Sequence, residues 1–149
     1  TTRFNVVKDG ELFQSKNGGL TTCIVEIQPG VRVQVLTFHM VPFHFFKFEL
    51  SSKPALDVLN EVEKSLLSSV ESPAIIQADF NIDCSTIREY FPKLFATGCD
   101  EIVQTDPTTP RGKCLDHFMY KGLIMESTRV IKQCLTDHFP IVAEFRENG

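Results

Sequence analysis

Nowhere in these 149 residues does an apolar run approach the roughly 20 needed to span a bilayer, so no transmembrane segment is expected. No positively charged, apolar leader opens the chain. It begins on Thr1, as expected of a processed chain or of one that starts part-way through a gene. Internal repeats and low-complexity stretches are lacking as well. Basic residues are in deficit, 15 Lys and Arg against 19 Asp and Glu, for a net charge of −4. That argues against a strongly basic grip on nucleic acid and leaves a small local site open. Metal-type cysteine pairs are missing too. Cys23, Cys84, Cys99, Cys114 and Cys134 are odd in number and show no CxxC spacing. They read as reduced thiols, several of them core residues, in an intracellular reducing compartment such as cytoplasm or nucleus.

What is present is the composition of a globular chain, 42% hydrophobic and 23% charged, long enough for one domain over residues 1–149. The first third reads as β: residues 3–7, 21–27 and 31–40 are rich in β-branched and aromatic side chains. Asn17-Gly18-Gly19 and Gln28-Pro29-Gly30 separate them, and the second signal predicts an antiparallel hairpin. Val31, Val33 and Val35 alternate with Arg32 and Gln34, a strand with one buried face. The Phe-rich residues 41–50 offer rings for a base or a lipid chain, but packing in the core is the expectation.

The clearest helix follows. Ser51 and Ser52 are good caps, Pro54 suits the first turn, and Ala55, Leu59, Val62, Leu66 and Val70 share one stripe. Ser72-Pro73 ends it. A shorter helix is expected near residues 86–95, capped by Asp83 or Ser85 and interrupted by Pro92. Residues 101–104, 114–120, 127–133 and 141–145 read as strands, and residues 105–112, with two prolines and Arg111, as a loop. Strands interspersed with few helices predict an α/β, or α+β-like, fold with mixed sheets.

The stretch Ala74-Ile75-Ile76-Gln77-Ala78-Asp79-Phe80-Asn81 ends an apolar strand on a carboxylate and an amide two residues apart, so both leave on one face. An Asx turn closing the strand explains the same residues. Two more polar pairs lie at strand boundaries, Leu115-Asp116-His117-Phe118 and Thr136-Asp137-His138-Phe139-Pro140. In that order the three segments resemble the motifs of the endonuclease/exonuclease/phosphatase superfamily: Gly-Asp-Phe-Asn, Ile-Asp-His or Ile-Asp-Tyr, and Ser-Asp-His-x-Pro. Ala78, Leu115 and Thr136 depart mildly from that pattern. Leu36-Thr37-Phe38-His39-Met40 resembles the Asn-Thr-His-Leu strand end with both Asn and Thr altered.

The resemblance runs from about residue 17 to residue 145 and covers only the C-terminal portion of the family domain. It implies the C-terminal half of a four-layer α/β/β/α sandwich. It also implies a metal-dependent phosphoester hydrolase, a phosphodiesterase, nuclease or phosphatase acting on nucleic acid, a nucleotide or a lipid headgroup. In that reading Asp116 orients and charges His138, and His138 donates to a phosphate oxygen. Asp79 orients or deprotonates water, Asn81 and His39 contact the phosphate, and Asp137 holds Mg²⁺ or Mn²⁺. Arg111 is a candidate for substrate phosphate. His44 and His117 are expected to be structural or exposed.

The family's metal-binding Glu and its first-strand Asn have no counterpart. Glu11 follows Asp9-Gly10 in a turn-like setting and is not accepted as a substitute. The chain is therefore expected to associate with a polypeptide carrying the N-terminal half, or with itself, because one sheet face and some strand edges would otherwise meet water. The alternative is a catalytically inactive half-domain that serves as a binding or assembly module.

Overall fold

Gly30 sits at φ +84° in the Pro29-Gly30 turn, the left-handed conformation that a type II turn asks of glycine. The turn joins β2 (Gly18–Gln28) to β3 (Val31–His39) as the expected hairpin, in the register Val25↔Val33 and Cys23↔Val35. The computed structural model describes residues 5–15, 18–133 and 136–148; Thr1, Arg3, Asn17 and Cys134 lie outside them. β1 (Asn5–Ser15) extends the hairpin on its far side. It runs through Asp9-Gly10-Glu11, pairing Asp9 with Cys23 and Glu11 with Thr21, so the turn expected there does not form. The ladder outweighs the local turn preference, with register shifts between Val6 and Lys8 and between Glu11 and Phe13.

From β3 the chain passes through a 3-10 turn (Phe43–Phe46) into α1 (Lys53–Ser69), then returns as β4 (Ala74–Asp79), parallel to β3. A second 3-10 turn (Arg88–Tyr90) and the short α2 (Pro92–Phe95) lead to β5 (Asp100–Glu101) and β6 (Asp116–Lys121). These strands form one mixed sheet in the order β1-β2-β3-β4-β6-β5. Gly122, at φ +66°, turns the chain beneath Ser72-Pro73, where a Cβ would collide with Ser72 Oγ. Beyond it β7 (Leu123–Val130) and β8 (Ile141–Glu147) pair in a second sheet. The mixed α/β architecture expected from the sequence is the one the chain adopts.

Alternation along β4 decides which side does what. Ala74, Ile76 and Ala78 are buried with Leu36, Met119, Ala55, Leu59, Leu66 and Leu94, forming the core. Ile75, Gln77 and Asp79 take the opposite face, where β8 brings Ala143 and Phe145 beside Val35 and Ile75. Gln34 ties the end of α1 to the sheet. Its side-chain amide donates to Ser69 O (2.9 Å) and its carbonyl accepts from Glu71 N (2.8 Å).

Three local expectations change. Ser52 stands at the start of α1, but its hydroxyl makes no cap bond and is buried without a partner among the described residues. The expected second helix splits at Pro92, which has no N–H to continue the ladder; Asp83, instead of capping it, accepts from Cys114 N at 3.0 Å. The aromatic segment does not all pack inside. Phe43 is buried, whereas Phe45, Phe46 and Phe48 are exposed, because a single 3-10 turn can direct only one side inward.

A candidate active site at the ends of three strands

Strand register does most of the assembly. Parallel pairing sets His39 beside Asp79, and antiparallel pairing sets Asp79 beside Asp116, so three polar residues from β3, β4 and β6 lie abreast at one edge of the large sheet. Asn81 follows β4 in the left-handed region, φ +53°, which asparagine tolerates better than most residues. Its backbone N–H donates to Asp79 Oδ1 at 2.8 Å, so the Asx turn that the sequence offered as the alternative does form, alongside the polar cluster. The same conformation aims the Asn81 amide back across the strand ends. Nδ2 donates to Met40 O at 2.8 Å and lies 3.1 Å from His39 Nε2.

His138 enters from the segment before β8. Its Nδ1 donates to Asp116 Oδ2 at 2.8 Å, and its Nε2 lies 3.6 Å from Asp79 Oδ2. His39 Nε2 lies 3.4 Å from that same oxygen. One carboxylate oxygen of Asp79 is thus shared between two imidazoles. Beside it a cleft of about 250 Å³ opens, lined by residues of β4 and β6 and by Phe139 and Ile141.

The electrostatics follow from this packing. Burial, the largest influence, raises the Asp79 carboxyl, and the charge of Asp116 adds to it; the Asn81 N–H and the two histidines pull the other way and do not offset the rise. For His138 burial is again the largest influence and lowers the pKa. The hydrogen bond and charge of Asp116, helped by Asp79 and Asp137, outweigh it, and His138 ends above the ordinary imidazole value. A raised histidine contributes stability that is complete below its unfolded pKa and is lost as pH climbs through the folded one. Thermal melts in chelator should therefore show stability falling as pH rises above about 6.5, with a flatter profile in Asp116→Asn. Parallel profiles for the two proteins would contradict this account of the pair.

The other sequence candidates are placed as follows. Asp137 is exposed and acts on His138 by its charge. Ligand-type atoms of Asp79, Asp116 and His138 all lie within 4.8 Å of one another, and Asp137 is not in that cluster. Arg111 is exposed in its loop, and among the described residues no hydrogen bond or ion pair joins it to the cluster. His44 is exposed. His117 is fully buried against Phe80, with burial holding its pKa down.

Sequence reasoning missed Thr108. Its buried hydroxyl accepts from Leu115 N (2.9 Å) and Asp116 N (3.2 Å), while its carbonyl accepts from Phe139 N (2.7 Å). One residue thereby fixes both backbones that carry the Asp116–His138 pair. In sequence it is only a threonine before Thr109-Pro110 in a loop, with no signal to distinguish it. Cys84, 3.7 Å from His117 Nε2, has its thiol pushed up to about 12 by burial and by neighbouring Glu89, Glu101 and Asp83, so it stays a thiol at neutral pH.

No family model and no curated protein matches this sequence. Solved structures do resemble the fold. An endonuclease/exonuclease/phosphatase from Beutenbergia cavernae superposes with a TM-score of 0.69 at 16% identity, covering 89% of this chain and 40% of that one. The human Nocturnin catalytic domain with a bound sulfate anion gives 0.63 at 17% identity, covering 98% and 60%. A mannosyl-6-phosphatase from Bacteroides thetaiotaomicron gives 0.63 at 15% identity, covering 96% and 67%. The chain thus spans between two fifths and two thirds of the length of these proteins. Its three-dimensional organisation is the fold of the endonuclease/exonuclease/phosphatase superfamily.

Proposed function

We propose that this chain carries the Asp-His half of a divalent-metal-dependent phosphoester hydrolase. The observation that supports the reading most directly is the Asp116–His138 hydrogen bond at 2.8 Å, set against a second carboxylate, Asp79, whose pKa is raised. Phosphoester hydrolysis needs a positioned water, neutralisation of charge on the phosphoryl oxygens, and a proton donor. Asp116 favours the protonated form of His138 and fixes the ring's orientation, leaving Nε2–H to donate to a phosphoryl oxygen. Asp79, made more basic by burial, orients and deprotonates the attacking water. His39 has 69% of its side chain exposed and supplies a second donor. The Asn81 amide spends one N–H on Met40 O and stands 3.1 Å from His39 Nε2, and its other N–H contacts the phosphate.

The donor set suits a hard cation, since the carboxylates of Asp79 and Asp116 approach closely. Asp137 would hold Mg²⁺ or Mn²⁺, and that ion, when bound, supplies Lewis-acid neutralisation of phosphoryl charge. Arg111 remains a proposed contact for outlying phosphate. The free thiols of Cys23, Cys99 and Cys114 support an intracellular, reducing location.

A second reading is a binding or assembly module. It rests on the apolar crevice between the sheets, lined by Val25, Ile27, Val35, Ile75 and Phe145, and on the two-stranded extent of the second sheet. In both readings the crevice takes either the remainder of the domain or a second copy of the chain. Hydrolysis of bis-p-nitrophenyl phosphate separates the two. Turnover that appears with Mg²⁺ and disappears with chelator is expected, strongest when a polypeptide completing the fold is supplied. No turnover in the completed protein, with no heat of Mg²⁺ binding, would leave the module reading.

A further inference from the structure

Phe45, Phe46 and Phe48 are 76%, 58% and 43% exposed, a grouping that a water-soluble surface seldom carries without a use. Phe45 and Phe46 sit on the 3-10 turn that follows β3 beyond His39 and Met40, and Phe48 lies just past its end. Phe45 lies six positions after His39, so the backbone places it within about 21 Å of the cluster. The segment is anchored at both ends. Ahead of the rings Phe43 is buried in the core, and after them Leu50 packs against that core. Between those anchors the rings project outward. The cleft beside the cluster is lined by none of them.

We infer that this aromatic turn is a membrane-docking tip, seating Phe45, Phe46 and Phe48 in the interfacial region of a phospholipid bilayer beside the polar cluster. Several features favour lipid over a nucleobase. Base stacking on single strands works through a positively charged groove with exposed ring platforms. Here the chain is net acidic, the Phe46 and Phe48 rings already stack on each other (6.3 Å, 22°), and His44 covers Phe45 at 4.4 Å. A projecting group of phenylalanines with a lysine among them matches an interfacial anchor, where rings enter the acyl boundary and the ammonium stays with the headgroups. Lys47 fulfils that condition: it is exposed, lies between Phe46 and Phe48, and takes the left-handed conformation at φ +56° that ends the turn. No described helix is long and apolar enough to cross a membrane.

Docking needs no turnover, so its failure would leave the hydrolase reading untouched. The test mixes the full chain with sucrose-loaded vesicles of phosphatidylcholine containing a minor fraction of phosphatidylserine, followed by sedimentation. The wild type is expected in the pellet, and the triple variant Phe45→Ser/Phe46→Ser/Phe48→Ser should partition about tenfold more weakly at an unchanged melting temperature. The sequence has no tryptophan, so Phe45→Trp installs a lone fluorophore whose emission should shift to the blue with vesicles and be quenched by brominated acyl chains. That measurement decides the matter if the triple variant misfolds. A wild type left in the supernatant, or Phe45→Trp emission that vesicles do not move, overturns the proposal. Quenching by a single-stranded oligonucleotide without any vesicle response also overturns it and assigns the rings to nucleobases.

Discussion

His138→Ala is expected to lower the proposed Mg²⁺-dependent hydrolysis of bis-p-nitrophenyl phosphate by about 10³-fold, measured in the same preparation as the parent. The variant deletes the proposed proton donor and leaves Asp116 without the partner that its Oδ2 meets at 2.8 Å. Asp116→Asn makes the sharper companion. It preserves shape but removes the charge that raises His138, so the rate should fall by about 10²-fold and the pH at which activity declines on the alkaline side should drop. A residue that merely packs would change the melting temperature without moving that limb. Rates within a factor of about two of wild type in either variant would remove the pair from the chemistry.

The second large effect is on stability. Glu63 is 3% exposed, and its Oε1 accepts from the backbone N–H groups of both Lys93 and Leu94. Glu63→Ala would strand the buried Leu94 N–H and remove the acceptor of the Lys93 N–H at the start of α2. Each unmet buried donor costs about 1–3 kcal/mol, so a loss of about 3 kcal/mol is expected, or roughly 10 °C in the melting temperature. Glu63→Gln keeps an acceptor oxygen and should lose about half as much. Equal melts for Glu63→Ala and the parent would show that the start of α2 finds other partners.

Glu63 also illustrates what a linear reading cannot see. It sits in the apolar stripe of α1 between Leu59 and Leu66, where sequence logic expects a hydrophobic residue. Its partners are thirty residues away, so no local pattern announces them. Thr108 is the same case, a loop threonine whose importance lies in the two backbones it joins. Asp9-Gly10 shows the converse error. A strong local turn signal is overridden once a neighbouring strand offers a continuous ladder, and the dipeptide runs on as strand. The aromatic residues 43–48 mislead because composition alone cannot say which rings a one-turn helix faces inward.

What the sequence determined by itself was local and periodic. It set the hairpin at Pro29-Gly30, the stripe of α1, the alternation of β4, and the three short segments that hold Asp79, Asp116 and His138. These are legible because each depends on residues within a few positions of one another. Tertiary structure alone decided that β3, β4 and β6 lie side by side, so that His39, Asp79 and Asp116 share one register line, and that the segment before β8 folds back to bring His138 onto Asp116. Hydrogen-bonded pairing between distant strands has no signature in neighbouring residues, and it is that pairing which turns scattered polar side chains into one site.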